Sequence, residues 1–195
     1  MRSIRLVLAG IPLSGAAFLL CALLAQPPHR VTGVVAAAIF CPLWFALCAA
    51  NALGGVADGH RARLEAGLAG VIFAGPATVS LLLWWASRTW WNGGPLITAS
   101  RTAWVLTAGI LLWAGTAQLT AAWRTAGSPV RAMSAAAAVF SPLWAAVMVL
   151  NLLLGLSVGY SLAEEIPVLL VNLAVPVGFA LIAHILPVQN RVRNR

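Results

Sequence analysis

The sequence predicts an all-α integral membrane protein whose six transmembrane helices form two inverted three-helix repeats. Three observations carry that prediction. The composition is 62% hydrophobic and 8% charged, with a mean hydropathy of +0.94, which lies outside the range of water-soluble domains. Six apolar segments, near residues 4–25, 33–56, 66–87, 103–123, 133–158 and 166–187, each approach the roughly 20 residues that cross a bilayer core as helix. Finally, the stretch 36–65, AAAIFCPLWFALCAANALGGVADGHRARLE, recurs one hundred positions later as AAAVFSPLWAAVMVLNLLLGLSVGYSLAEE. Phe40, Pro42, Leu43, Trp44, Asn51, Gly55, Gly59 and Glu65 find their counterparts at Phe140, Pro142, Leu143, Trp144, Asn151, Gly155, Gly159 and Glu165. The register extends outward, setting Pro76 on Pro176 and Gly15 on Gly115. The chain therefore divides into a first repeat over 1–87, an outer linker over 88–102 and a second repeat over 103–195 that ends in a basic tail.

The first segment begins with Arg2 and Arg5 before an apolar run, as a signal peptide does. Leu23 occupies the position where a cleavage site needs a small residue, and the fourth segment is its counterpart, so the stretch reads as a retained helix. Gly10, Ser14 and Gly15 beside Pro12 allow close helix approach. Gln26-Pro27-Pro28-His29-Arg30 forms a stiff outer turn.

The second segment carries the repeated motif. Pro42 has no amide hydrogen and displaces the carbonyl of Ala38, so Pro42 and its counterpart Pro142 are expected to kink their helices, with Ala36, Ala37 and Ala38 leaving room for a neighbour. Gly55 and Gly59, like Gly155 and Gly159, form a Gly-x-x-x-Gly step that predicts tight packing between helices or against a partner membrane protein or second copy. Asn51 and Asn151 place a carboxamide within apolar helices, and an unpaired amide in hydrocarbon costs several kcal/mol, so each must face protein, water or ligand. Pro76 and Pro176 add a second pair of expected kinks, and Pro176 removes the normal partner of the Asn172 carbonyl. Gln118 in the fourth segment is a further intramembrane amide. Trp84, Trp85, Trp90, Trp91 and Trp104 surround the Gly93-Gly94-Pro95 turn of the linker as an interfacial belt, with Trp123 near the opposite rim.

Charge sets the expected orientation. All twelve basic residues are Arg, and placing the amino terminus in the cytoplasm puts Arg2, Arg5, Arg61, Arg63, Arg124, Arg131, Arg191, Arg193 and Arg195 inside and Arg30, Arg88 and Arg101 outside. Both termini are thus expected to be cytoplasmic, in a plasma (inner) membrane. Three spans per half is an odd number, so the second half enters the membrane in the opposite sense. The net charge of +8 is spread over membrane rims rather than gathered on a face, which gives no reason to expect a nucleic-acid partner.

No phosphate loop, zinc motif or Gly-x-Ser-x-Gly elbow is present, and Cys21, Cys41, Cys48, His29, His60 and His184 show no ligand spacing, so no metal, cofactor or catalytic residue is expected. Ser141 and His184 are the one nucleophile and base that facing helices would unite, but Ser141 corresponds to Cys41 and reads as packing. The expected function is a transporter or channel-like protein that passes a small solute between its halves. Trp44, Asn51, Trp144, Asn151, Asn172 and Gln118 would line the path, with Glu65 and Glu165 gating its mouths. The alternative is a non-transporting scaffold or accessory subunit that binds a partner protein. Three-helix inverted halves resemble several carrier and channel folds, aquaporins among them, although the Asn-Pro-Ala signature of aquaporins is missing.

Overall fold

A computed structural model describes residues 2–24, 32–90, 101–123 and 129–193, with side chains over 2–24, 33–86, 101–123 and 132–182. The turn at 26–30, the Gly93-Gly94-Pro95 turn and the side chain of His184 lie outside the described residues. The described chain is all-helical: α1 (Arg2–Leu24), α2 (Thr32–Ala57), α3 (Ala62–Trp90), α4 (Arg101–Trp123), α5 (Pro129–Ser157) and α6 (Leu162–Arg193). All six are long and apolar enough to cross a bilayer, the mark of a polytopic integral membrane protein.

α1 and α4 form the centre. They pack antiparallel along their length: Gly15 lies against Leu111, Gly115 against Leu13, and the Arg5 Nη1 donates to the carbonyl of Ala121 at 3.0 Å near the start of one helix and the end of the other. α2 and α3 pack with each other and with α1, α5 and α6 with each other and with α4. Among the described residues neither α2 nor α3 touches α5 or α6. The core is accordingly split. One cluster joins Leu6, Ala9, Phe40, Trp44, Cys48 and Ile72 with Ala122, and a larger one joins Leu19, Leu23, Val105, Leu112, Trp113, Phe140, Trp144 and Met148.

The register of the first and fourth helices differs from that expected. Buried positions of α1 recur in α4 after 99 residues: Leu6 with Val105, Ala9 with Ala108, Gly10 with Gly109, Ser14 with Trp113, Ala16 with Gly115. Gly15 and Gly115 are therefore not equivalent, and the extra residue of the second half lies between α4 and α5. One residue turns a helix by about 100°, so a shift in a connection changes which face is buried while leaving the pattern of apolar residues intact.

The corners between α2 and α3 and between α5 and α6 are built alike. Gly59 and Gly159 have φ of +89° and +99°, the left-handed conformation that ends a helix. The His60 and Tyr160 amides then donate to the carbonyls of Gly55 and Gly155 at 3.0 and 3.2 Å, and the Gly59 and Gly159 amides donate to Val56 and Leu156. This double bond pattern closes the helix end. Ser161 caps α6, its backbone N–H and its hydroxyl each 2.9 Å from Glu164 Oε2. With so sharp a turn, α3 and α6 begin at Ala62 and Leu162, four residues before the apolar runs expected from 66 and 166, and the second half of DGHRARLE is already helix.

Two expectations for α2 and α5 change. Pro42, Ala38, Pro142 and Ala138 all face outward, so the expected neighbour of the opened turn is the bilayer, and the two Pro-Leu-Trp motifs lie on separate flanks. The Gly-x-x-x-Gly spacing has two unrelated causes. Gly59 serves backbone conformation with open space around it, whereas a methyl group at Gly55 would stand 2.6 Å from Glu65 Oε2.

Candidate functional site

Each flank holds a knot of tryptophan, proline and glycine. Pro76 and Pro176 remove the amides that would bond the carbonyls of Ile72 and Asn172. The indole N–H of Trp44 donates to Ile72 O at 3.3 Å, and that of Trp144 donates to Asn172 O at 3.0 Å. A carbonyl released from the helix ladder in an apolar interior is thus satisfied from the neighbouring helix, and both partners of each bond are buried. Phe40 stacks on Trp44 with ring centroids 5.8 Å apart, and Phe140 on Trp144 at 6.1 Å, fixing the indole planes. Gly10 and Gly109 admit the knots into the central pair: a methyl group would lie 2.6 Å from Trp44 Cζ2 at Gly10 and 2.8 Å from both Trp144 Cζ2 and Pro176 Cγ at Gly109. Trp44 and Trp144 are therefore packed and hydrogen-bonded, in different clusters.

The polar residues fall at the two ends. At the Gly59 end, Asn51 is 8% exposed, and its Oδ1 is sealed from solvent without a hydrogen-bond partner. The Glu65 carboxylate, 7% exposed, rests on Gly55 and accepts from the Nδ1–H of His60 at 2.8 Å. At the Gly159 end, Glu165 rests on Gly155 in the same way, and the Oδ1 of Asn151 accepts from Arg101 Nη2 at 2.7 Å. The position of His60 is taken there by the exposed Tyr160.

The residues singled out in the sequence are thus brought together in part. Asn51 and Glu65 share one end of the protein, Asn151 and Glu165 the other. Trp44 and Trp144 mark two interior levels, one in each flank. Asn172, 1% exposed beside Pro176, leaves its Oδ1 unpartnered, while its counterpart Ile72 is apolar. Gln118 is half-buried on α4, and the hydroxyls of Ser14, Thr116 and Thr120 bond carbonyls of their own helices. The described residues contain no group of three His, Cys, Asp or Glu that would hold a metal ion.

Sequence reasoning treated Arg2 and Arg101 only as topological charges and missed their contacts with Trp123 and Asn151. A signal was present: each opens its helix, 99 residues apart, where a cation opposes the helix dipole by roughly 0.3–1 kcal/mol. Comparison with known proteins returns no matching family model, no matching curated protein and no matching solved structure.

Proposed function

We propose that the chain is a small membrane carrier, built from two inverted three-helix repeats, that moves a small polar solute by exposing its polar ends in turn. The observation that supports this most is the recurrence of one constellation, a buried Asn on α2 or α5 with a Glu on α3 or α6 resting against a Gly, at opposite ends of an antiparallel α1/α4 pair. Inverted repeats of this kind give a carrier two nearly equivalent ways to pack, which is the physical basis of alternating access. The charge asymmetry supports an orientation with the Gly59 end in the cytoplasm. The solute route runs from one polar end to the other alongside the α1/α4 seam, and the two tryptophan knots brace its walls.

The close packing of Trp44 and Trp144 favours a second reading, a scaffold whose interior passes nothing. Purified protein in liposomes separates the two. A carrier shows solute flux that Asn51→Leu and Asn151→Leu each reduce at unchanged folding, whereas unchanged flux in both variants removes the amide route. Cysteine labelling from either side of the bilayer tests the inversion: residues 60 and 160, exposed at equivalent corners, react from opposite faces, and reaction of both from one face defeats it.

A further inference from the structure

The two ends are built from equivalent residues, yet they are not in the same state. At the Gly159 end Arg101, the first residue of α4, reaches Asn151. Arg2 holds the equivalent place at the head of α1, and Asn51 is the equivalent amide. Gly10 against Trp44 and Gly109 against Trp144 fix the two helix pairs at matching levels, so Arg2 lies as close to the level of Asn51 as Arg101 does to that of Asn151. The bond between them is nevertheless not made. Asn51 Oδ1 and Arg2 Nε are both buried and both unpartnered, and the Arg2 guanidinium lies 5.8 Å from the centre of the Trp123 ring instead. A second, independent asymmetry agrees: α1 touches α5, whereas α4 and α2, the equivalent pair, do not touch among the described residues.

We infer that Arg2–Asn51 and Arg101–Asn151 are two latches closed alternately, the structure showing the Gly159 end latched and the Gly59 end released. This rests on the carrier reading and specifies its gates. A donor and an acceptor buried without partners are each unfavourable, and a movement that joins them removes both penalties. Trp123 supplies the resting place for Arg2 in the released state, since a cation over an indole face is stabilised by an amount comparable to a hydrogen bond. The α4 residue Trp123 corresponds to Leu24 in the register of 99, so the position that offers Arg2 an indole offers Arg101 an aliphatic side chain. By the same equivalence, closing the first latch brings α2 and α4 into contact, as α5 and α1 already are.

Spin labels on symmetric pairs read this directly, in a background with Cys41→Ser and Cys48→Ala. One pair is Asp58→Cys with Thr120→Cys, with Cys21 also replaced, and the other is Val158→Cys with the native Cys21. Asn51→Asp turns the first latch into an ion pair and is expected to shorten the 58–120 distance, lengthen the 158–21 distance and change the ratio of the two populations about tenfold, because a carboxylate is a stronger acceptor for the guanidinium than the neutral amide. Arg101→Gln releases the second latch and shifts both distances in the same directions, which guards against an Asn51→Asp chain that fails to fold. Adding Arg2→Gln to Asn51→Asp restores the parental distances, an outcome a general structural disturbance does not produce. Distances that stay fixed in both variants, or that change together in one direction, overturn the latches. The labels need no solute, so opposed shifts without liposome flux defeat the carrier reading alone, and flux lost in Asn51→Leu with fixed distances defeats the latches alone.

Discussion

The bond from Trp144 to the Asn172 carbonyl makes a quantitative prediction, because proline and tryptophan each change the same acceptor. Trp144→Phe keeps the stack on Phe140 but removes the N–H donor, leaving in the interior a carbonyl that Pro176 has already cut off from its helix. An unsatisfied buried acceptor costs about 1–3 kcal/mol, on top of the packing lost when a phenyl ring replaces the larger indole. Pro176→Ala restores an amide at 176, which bonds the Asn172 carbonyl along the helix and makes the indole donor redundant. The double variant should therefore lose less than the sum of the single losses, with a coupling of at least about 1 kcal/mol. Denaturant or thermal unfolding of the purified protein in detergent micelles, followed by near-UV circular dichroism, measures all four corners of that cycle. Additivity within about 0.5 kcal/mol would refute the argument, since it would mean that the indole and the proline do not share an acceptor.

Three further outcomes follow from the same geometry. Gly10→Ala and Gly109→Ala drive a methyl group into a tryptophan–proline knot and should each destabilise by about 1–3 kcal/mol in the same unfolding assay, while Gly67→Ala, with nothing near its Cβ position, should be neutral or slightly stabilising. Gly59→Ala and Gly159→Ala impose a left-handed backbone on a side-chain-bearing residue and should each cost about 1–2 kcal/mol despite the open space around them; Asn at either position should cost less. Pro42→Ala and Pro142→Ala, on outward faces, regain a helix bond without losing core contacts and should leave unfolding unchanged or raise its midpoint, in contrast to the buried Pro76 and Pro176.

The six helices were legible because they rest on length and apolar content, and the kinship of residues 36–65 and 136–165 because it rests on a repeat long enough to align. The faces of the helices were not. In a bilayer the lipid is as apolar as the core, so Leu43, Phe45 and Pro42, which face outward, look no different in sequence from Phe40, Trp44 and Cys48, which face inward. That is why the outward Pro42 and the inward Pro76 read alike in sequence, each as a kink. The Gly-x-x-x-Gly step was ambiguous for a related reason: a glycine required by a left-handed backbone and one packed against a carboxylate of the next helix happen to lie four apart. Asn51 and Asn151 stood out correctly as costly amides, but the partner of Asn151 lies fifty residues away, and only the packing of α4 on α5 brings Arg101 to it.

The seam between α1 and α4 also sets a clock on synthesis. α1 enters the bilayer 99 residues ahead of the helix that covers it, which at typical translation rates is a wait of about 5–20 seconds. Through that interval its small-residue face has only lipid or an unrelated neighbour to rest on, and Ser14 manages by turning its hydroxyl onto the carbonyl of Ile11. The newly made first half therefore carries one face of small residues whose partner in the finished protein is a helix running the other way.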